Sequence, residues 1–314
     1  MDLKCLSLSQ AQESFFQLMT KIESQEKIHF LNWIHANWLK GDMLMSEDSR
    51  EEKLKCIASD IRSAIPPEAI LASENICFPK TGENSLLDPR FTVHVDGFLY
   101  DDDLIDELCE NGEMSRNYCL SCGSQRTKPL TFISHSASRE RLLYIFTALL
   151  GPLNEKVILD VGSRLGAILY GAYLYSSSPK IVGIEINKEL CELQRRIVEK
   201  YSFQDRVEVI EGNLLDYSGI VNTADVIILN NVFEFFVPQE TQTLMWNFLK
   251  CHIKRSALLV TSPALHVSLL NLKDEAGLSE LGQWVKELPP CNPDALGIEN
   301  MQTEIENVQL YQVM

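Results

Sequence analysis

The sequence predicts an α/β protein built on a doubly wound, mostly parallel sheet, preceded by a helical N-terminal region. Three observations carry that prediction. Residues 157–185 hold an apolar run, a turn bracketed by Gly162 and Gly166, an apolar helix pattern, and a second run closed by Glu185. Apolar runs then alternate with helical periodicity to the end of the chain. The runs at 157–159, 181–184 and 224–230 are continuous rather than alternating, as strands covered on both faces require.

From the start of the chain, Phe15, Phe16, Leu18, Met19 and Ile22 give one amphipathic helical face. Ile28, Leu31, Trp33, Ile34, Trp38 and Leu39 crowd a second helix that Gly41 stops. A third spans 49–64, with Leu54, Ile57, Ala58 and Ile61 on one side and Pro66-Pro67 ending it. The tryptophans read as packing residues. Residues 72–97 are punctuated by Pro79, Gly82 and Pro89, with a short strand at 91–95.

Asp101-Asp102-Asp103 open a helix over 104–109, where carboxylates suit the positive end. They lack the alternating spacing of a calcium loop. Cys119 and Cys122 form half of a zinc knuckle; with no second C-x-x-C pair, no metal is expected. Ser138 caps a helix over 138–150.

Beyond Glu185, a helix is predicted over 188–203, with strands at 207–210 and 224–230. A helix over 238–252 leads to a strand at 257–261, and weaker strands follow at 284–288 and 308–313.

The chain has 314 residues, nine cysteines, 45% hydrophobic and 23% charged residues and a formal net charge of −16. That charge repels duplex nucleic acid and leaves small molecules or basic proteins as easier partners. No run of about 18 apolar residues is present, so no membrane span is expected. The start carries no basic region followed by an apolar core. With scattered, odd-numbered cysteines, this predicts reduced thiols and a cytoplasmic protein, the nucleus being left open.

The βαβ stretch has a chemical reading of its own. Glycines permit positive φ and close approach of a ligand, and the helix N-terminus offers unpaired N–H groups. A carboxylate at the tip of the second strand can accept from both hydroxyls of a ribose.

Asp160-Val161-Gly162-Ser163-Arg164-Leu165-Gly166 resembles the D-x-G-x-G-x-G motif of class I S-adenosylmethionine (SAM)-dependent methyltransferases. Glu185 matches that family's ribose-binding acid. The turn does not supply the G-x-G-x-x-G of a dinucleotide site. The resemblance covers 130–314 and is strongest over 157–262. It implies a methyltransferase-like domain at 126–314, with a seven-stranded Rossmann-like sheet, behind a helical region 1–125 of unassigned role. It further implies SAM as cofactor and methyl transfer to a small-molecule or protein side-chain acceptor.

By the same resemblance, Asp160, Gly162, Arg164 and Gly166 hold the methionyl moiety and Glu185 the ribose. Asn213 and Leu214 meet the adenine, the Asn213 carbonyl accepting where the family has an acid. Asn230 and Asn231 face the methyl group and the acceptor, with Glu234 beside them as a third catalytic candidate. Phe132, Ser134 and His135 belong to the segment that closes over the site.

Two subfamilies are approached. The stretch NNVFEFFVPQET, followed by ALLVTSPAL, resembles small-molecule methyltransferases of the ubiquinone-biosynthesis type, with Phe235 in place of their histidine. Asn230-Asn231-Val232-Phe233 resembles the turn of the non-SET histone lysine methyltransferases.

Arg164 departs from the middle glycine of the motif. A left-handed non-glycine residue costs about 1–2 kcal/mol, and its side chain either blocks the methionyl pocket or pairs with the methionyl carboxylate. Ile253-Lys254-Arg255-Ser256 stand where K-P-G-G is usual. These departures, with Asn213, define the alternative: a methyltransferase-like binding or regulatory subunit that has lost catalysis.

Overall fold

The structure is a computed structural model that describes residues 8–23, 26–34, 47–121, 124–272, 275–292 and 307–314. It divides into two compact units, residues 1–50 and 51–314. The break lies well before the expected division at 125/126.

The first unit contains α1 (Leu8–Lys21) and α2 (Lys27–Ile34). The face expected to be buried on α1 is largely exposed at Phe15, Phe16 and Leu18. Trp38, Leu39 and Gly41, expected to end the second helix, lie outside the described residues, as does Cys122 of the half knuckle.

The helix α3 (Glu47–Arg62) runs into the second unit, where Leu54, Ile57, Ala58 and Ile61 are fully buried. They pack in one core with Phe98, Leu99, Leu142 and Tyr170. The short strand β1 (Thr92–His94) follows, then α4 (Asp102–Glu110). Asp101 caps α4, its carboxylate accepting from Leu104 N at 2.9 Å. An antiparallel pair, β2 (Asn117–Cys119) and β3 (Thr127–Pro129), was not legible in the sequence. Both strands are three residues long and half-exposed to exposed, too short for any period. β4 (Thr131–Ile133) runs parallel to β1.

Ser138 caps α5 (Arg139–Leu143) as expected, and the helix loosens into a π-helical turn at Tyr144–Leu149. The doubly wound part then follows in order. It comprises β5 (Val157–Val161), α6 (Ala167–Tyr175), β6 (Lys180–Glu185), α7 (Lys188–Lys200), β7 (Val207–Glu211), α8 (Ser218–Thr223), β8 (Val226–Asn230), α9 (Gln239–His252) and β9 (Leu258–Ser262). The chain closes with α10 (Leu265–Asn271), α11 (Glu275–Trp284), β10 (Val285–Leu288) and β11 (Gln309–Val313). Trp284 ends a helix instead of starting a strand.

The seven-stranded sheet has the order β10-β11-β9-β8-β5-β6-β7. β11 is antiparallel to both neighbours and the β9-to-β7 strands are parallel. The predicted class therefore holds: a doubly wound, mostly parallel α/β sheet. The order reverses at β5, which pairs with both β6 and β8, and a crevice opens beyond the carboxyl ends of strands at such a reversal.

One face of the sheet packs on α3, α5 and α6, the other on α9 and α10. Because α3 supplies four fully buried apolar side chains to the first core, residues 51–62 are structural parts of the unit that holds the sheet. Ile57→Ala should therefore lower unfolding stability by about 2–5 kcal/mol, the usual cost of emptying such a site. Denaturant unfolding measures it; a loss below about 1 kcal/mol would detach α3 from this core.

Candidate functional site

The turn after β5 carries three left-handed residues: Gly162 at φ 70°, Arg164 at φ 44° and Gly166 at φ 85°. Gly162 is needed on two counts. Its φ favours glycine, and a side chain there would run into the Val232 methyl group. The Gly162 and Ser163 amides donate to Ile184 O at 2.8 and 3.2 Å, pinning the turn to β6. Buried Gln194 of α7 fastens it from the other side. It accepts from Ser163 Oγ at 2.8 Å and donates to Arg164 O at 2.7 Å.

Glu185, at the end of β6, is almost fully buried. Its Oε2 accepts from Arg164 N at 2.9 Å and its Oε1 from Asn187 N at 2.8 Å. A carboxylate oxygen can accept twice, so each retains acceptor capacity. Burial raises the Glu185 pKa, against the pull of those two amides.

These elements wall a cavity of about 470 Å³ beyond the strand ends, a size usual for a small-molecule site. Gly162, Arg164, Glu185, Asn213, Leu214, Asn230 and Asn231 line it. Of the other predicted site residues, Asp160 and Gly166 sit in its support without lining it. Glu234 lines a separate void of about 40 Å³, and its Oε2 accepts from Asn84 Nδ2 at 3.0 Å. The Asn213 carbonyl caps the turn Leu214–Asp216, accepting from Leu215 N at 3.0 Å, so one of its acceptor sites is already used. Asn231 is left-handed at φ 52°, with its amide bound to Ser262 O at 2.7 Å.

Beyond Phe233, the opposite walls were not legible in the sequence. One is apolar, with Phe233, Phe236, Val237 and Met245. The other is the segment Ser73, Glu74 and Asn75.

Arg164 departs from both expectations for its side chain. The guanidinium is held by buried groups of the preceding chain. Its Nε donates to Glu74 Oε1 at 2.9 Å, its Nη1 to Asp96 Oδ2 at 2.9 Å and its Nη2 to Ala69 O. Side-chain exposures are 9% for Arg164, 4% for Glu74 and 1% for Asp96, so this is a buried ion cluster. Its donors are thus directed at the protein, and the cavity stays open beside it. No periodic signal could have found Glu74 or Asp96, which lie in irregular chain.

Charge is unbalanced here. Three carboxylates, Glu74, Asp96 and Glu185, surround one guanidinium. Asp160, fully buried, has its pKa raised well above the usual carboxylate range by burial first and by Glu185 second. A cationic ligand group would relieve the excess.

No family model matches the chain. It is 26% identical over 106 residues to the carboxy-S-adenosyl-L-methionine synthase of Citrobacter koseri, covering 31% of this chain and 42% of that protein. The Escherichia coli K12 / DH10B synthase is 27% identical over the same lengths. The chain thus spans under half the length of these curated relatives. Among solved structures, an RNA methyltransferase from Salinibacter ruber in complex with S-adenosyl-L-homocysteine aligns at 16% identity and TM-score 0.35, covering 55% of this chain and 88% of that one. An O-methyltransferase from Bacillus cereus in complex with SAH aligns at 14% identity and TM-score 0.37, covering 58% and 84%.

Two outcomes follow from this geometry. Arg164→Met leaves Glu74 and Asp96 buried without their cation, and unfolding stability should fall by about 3–5 kcal/mol. Denaturant titration reads this, and a change under about 1 kcal/mol would deny the cluster. Asp160→Asn should raise the melting temperature at pH 8. The raised folded pKa means the native state keeps a proton that the unfolded chain releases. The wild type is therefore fully stable only below the ordinary carboxyl range and weakens as pH rises. The gap between the two proteins should close toward pH 4; a gap unchanged with pH would mean that Asp160 titrates normally.

Proposed function

We propose that the chain binds SAM in this cavity and transfers its methyl group to a small-molecule or protein side-chain acceptor. The observation that carries the reading is Glu185: a buried carboxylate at the β6 tip, lining the cavity beside the Gly162 turn, with acceptor capacity left on both oxygens. A vicinal diol suits that acceptor pair. The missing side chain at position 162 gives room to Val232, and both residues line the cavity. Leu214 and the apolar wall suit a base, and the carboxylate excess suits a sulfonium and an ammonium.

When bound, SAM supplies an activated methyl group. The residues of the chain bind, orient and keep water out. Gly162 and the Arg164 backbone would hold the methionyl end, Glu185 the ribose, and Asn213 with Leu214 the adenine. Asn230 and Asn231 would face the acceptor. Asn230 is itself oriented by Arg141, whose Nη1 lies 3.4 Å from its Oδ1. Positioning is the larger part of catalysis for an in-line displacement.

The curated relatives agree in kind, since their name couples them to an S-adenosyl-methionine derivative. The departure at Arg164 gives no support to a blocked site, because its side chain is tied to Glu74 and Asp96 while the cavity persists. The net charge of −16 supports an acceptor other than duplex nucleic acid. No helix among the described residues is long and apolar enough to cross a membrane. The free thiols at Cys56, Cys77, Cys109, Cys119, Cys191, Cys251 and Cys291 support a reducing, cytoplasmic setting.

Calorimetric titration with SAM and with S-adenosyl-homocysteine (SAH) tests this. Both should bind, and ligand at a hundredfold its Kd should stabilise the fold by about 2.7 kcal/mol. Glu185→Ala should weaken binding by about 1–3 kcal/mol. Unaltered affinity in that variant would remove Glu185 from the site, and no binding to the wild type would end the reading.

A further inference from the structure

The charges at the cavity wall gather on one residue. Of the residues lining the cavity, Glu74, Arg164 and Glu185 are charged. Glu185 accepts from the Arg164 amide at 2.9 Å. Glu74 and Asp96 take the guanidinium, each at 2.9 Å. Three buried carboxylates are thus bonded to a residue that carries a single positive charge. The guanidinium is further used by Ala69 O, and its Nη2 lies 3.4 Å from Glu74 Oε2.

The other groups around the cavity change this count by one. Arg141 adds a cation at the wall, its Nη1 3.4 Å from Asn230 Oδ1. His135 lines the cavity, with its Nε2 2.8 Å from Nδ1 of His94. Burial first and Arg164 second lower both histidine pKa values, so the pair is neutral. Asp160 is buried behind the turn, and burial followed by Glu185 opposes its ionisation. An ionised Asp160 would add to the negative charge. Three carboxylates against two guanidinium groups leave the cavity with one negative charge.

SAM and SAH differ by one methyl group and one charge. Both carry an ammonium and a carboxylate, and SAM carries a sulfonium besides. SAM therefore brings the buried set to neutrality, and SAH leaves it one positive charge short. An uncompensated charge in a buried site is costly, because little water is present to screen it.

Resting on the SAM reading above, we infer that the carboxylate excess around Arg164 makes the cavity select the sulfonium cofactor over its thioether product, with Glu74 as the specificity-determining residue. Glu74 is the carboxylate in excess. Without its charge, Asp96 and Glu185 balance the two guanidinium groups. It also lines the cavity, which Asp96 does not. Arg164 is what brings it there, since the guanidinium draws two carboxylates of the preceding chain to the turn that would hold the methionyl end. Methyl transfer then discharges the ligand, and the product left behind is the weaker binder.

Calorimetry on the full chain at pH 8 tests this with three probes: SAM, SAH and sinefungin, in which a carbon-borne ammonium replaces the methylated sulfonium. SAM and sinefungin should each bind at least about tenfold tighter than SAH, or about 1.4 kcal/mol. SAH binding as tightly as SAM would overturn the inference and leave the SAM reading standing. So would sinefungin binding only as well as SAH, since the preference would then belong to the methyl group and not to the charge. Failure of all three to bind would overturn both.

Glu74→Gln keeps a carbonyl oxygen for Arg164 and removes the charge. In that variant SAM and sinefungin should weaken to within about threefold of SAH, with SAH no weaker than in the wild type. A folded variant that keeps the full preference, or that loses all three ligands equally, would overturn the role of Glu74. The three wild-type titrations decide the selectivity even where the variant does not fold.

Discussion

The Arg164 guanidinium joins three stretches distant in sequence: the turn after β5, the run from Ala69 to Glu74, and Asp96. A left-handed backbone at a non-glycine residue costs about 1–2 kcal/mol. Burying an unpaired guanidinium would cost more. Neither cost falls on the turn alone, because Glu185 accepts the Arg164 amide and Gln194 donates to its carbonyl. Arg164 is thus half of a device whose other half lies in residues 69–96. With glycine at 164, Glu74 and Asp96 would be buried charges without a cation.

The same cluster sets the character of the cavity. Arg164 neutralises only part of the negative charge around it, and Asp160 resists ionising between burial and Glu185. The histidine pair is kept from becoming cationic by burial and by Arg164. The cavity therefore combines carboxylate excess at the turn with a neutral imidazole, His135, in its lining. Cationic ligand groups are favoured beside the turn.

How much of this was legible follows from how each part leaves a trace in sequence. The strands β5, β6 and β8 are covered on both faces, so they read as continuous apolar runs, and Glu185 is marked by ending one. The amphipathic pattern of α3 was equally plain, but a pattern says only that a face is buried, never against what. The domain boundary at 125 failed for that reason, since α3 packs in the sheet's own core. Glu74 and Asp96 act from irregular chain, where no period exists. Gln194 is a polar residue inside a helix that reads as solvated until its two bonds are seen. Asn213 could be placed at the cavity, but its use as the cap of a short turn depends on backbone geometry beyond it.

Asp96 is the point at which these segments meet. It accepts from Arg164 and from Ser136, and its other oxygen accepts from the amides of Phe98 and Leu99 at 3.0 and 3.3 Å. One buried carboxylate thus fixes the turn after β5, the loop carrying His135, and the chain entering α4. Methyl transfer requires donor and acceptor to be held within a few tenths of an ångström of the reacting line. Loops set independently would have to reach that register by chance. Here the turn after β5 and the loop carrying His135 are hydrogen-bonded to the same oxygen atom, so a displacement of one is transmitted to the other.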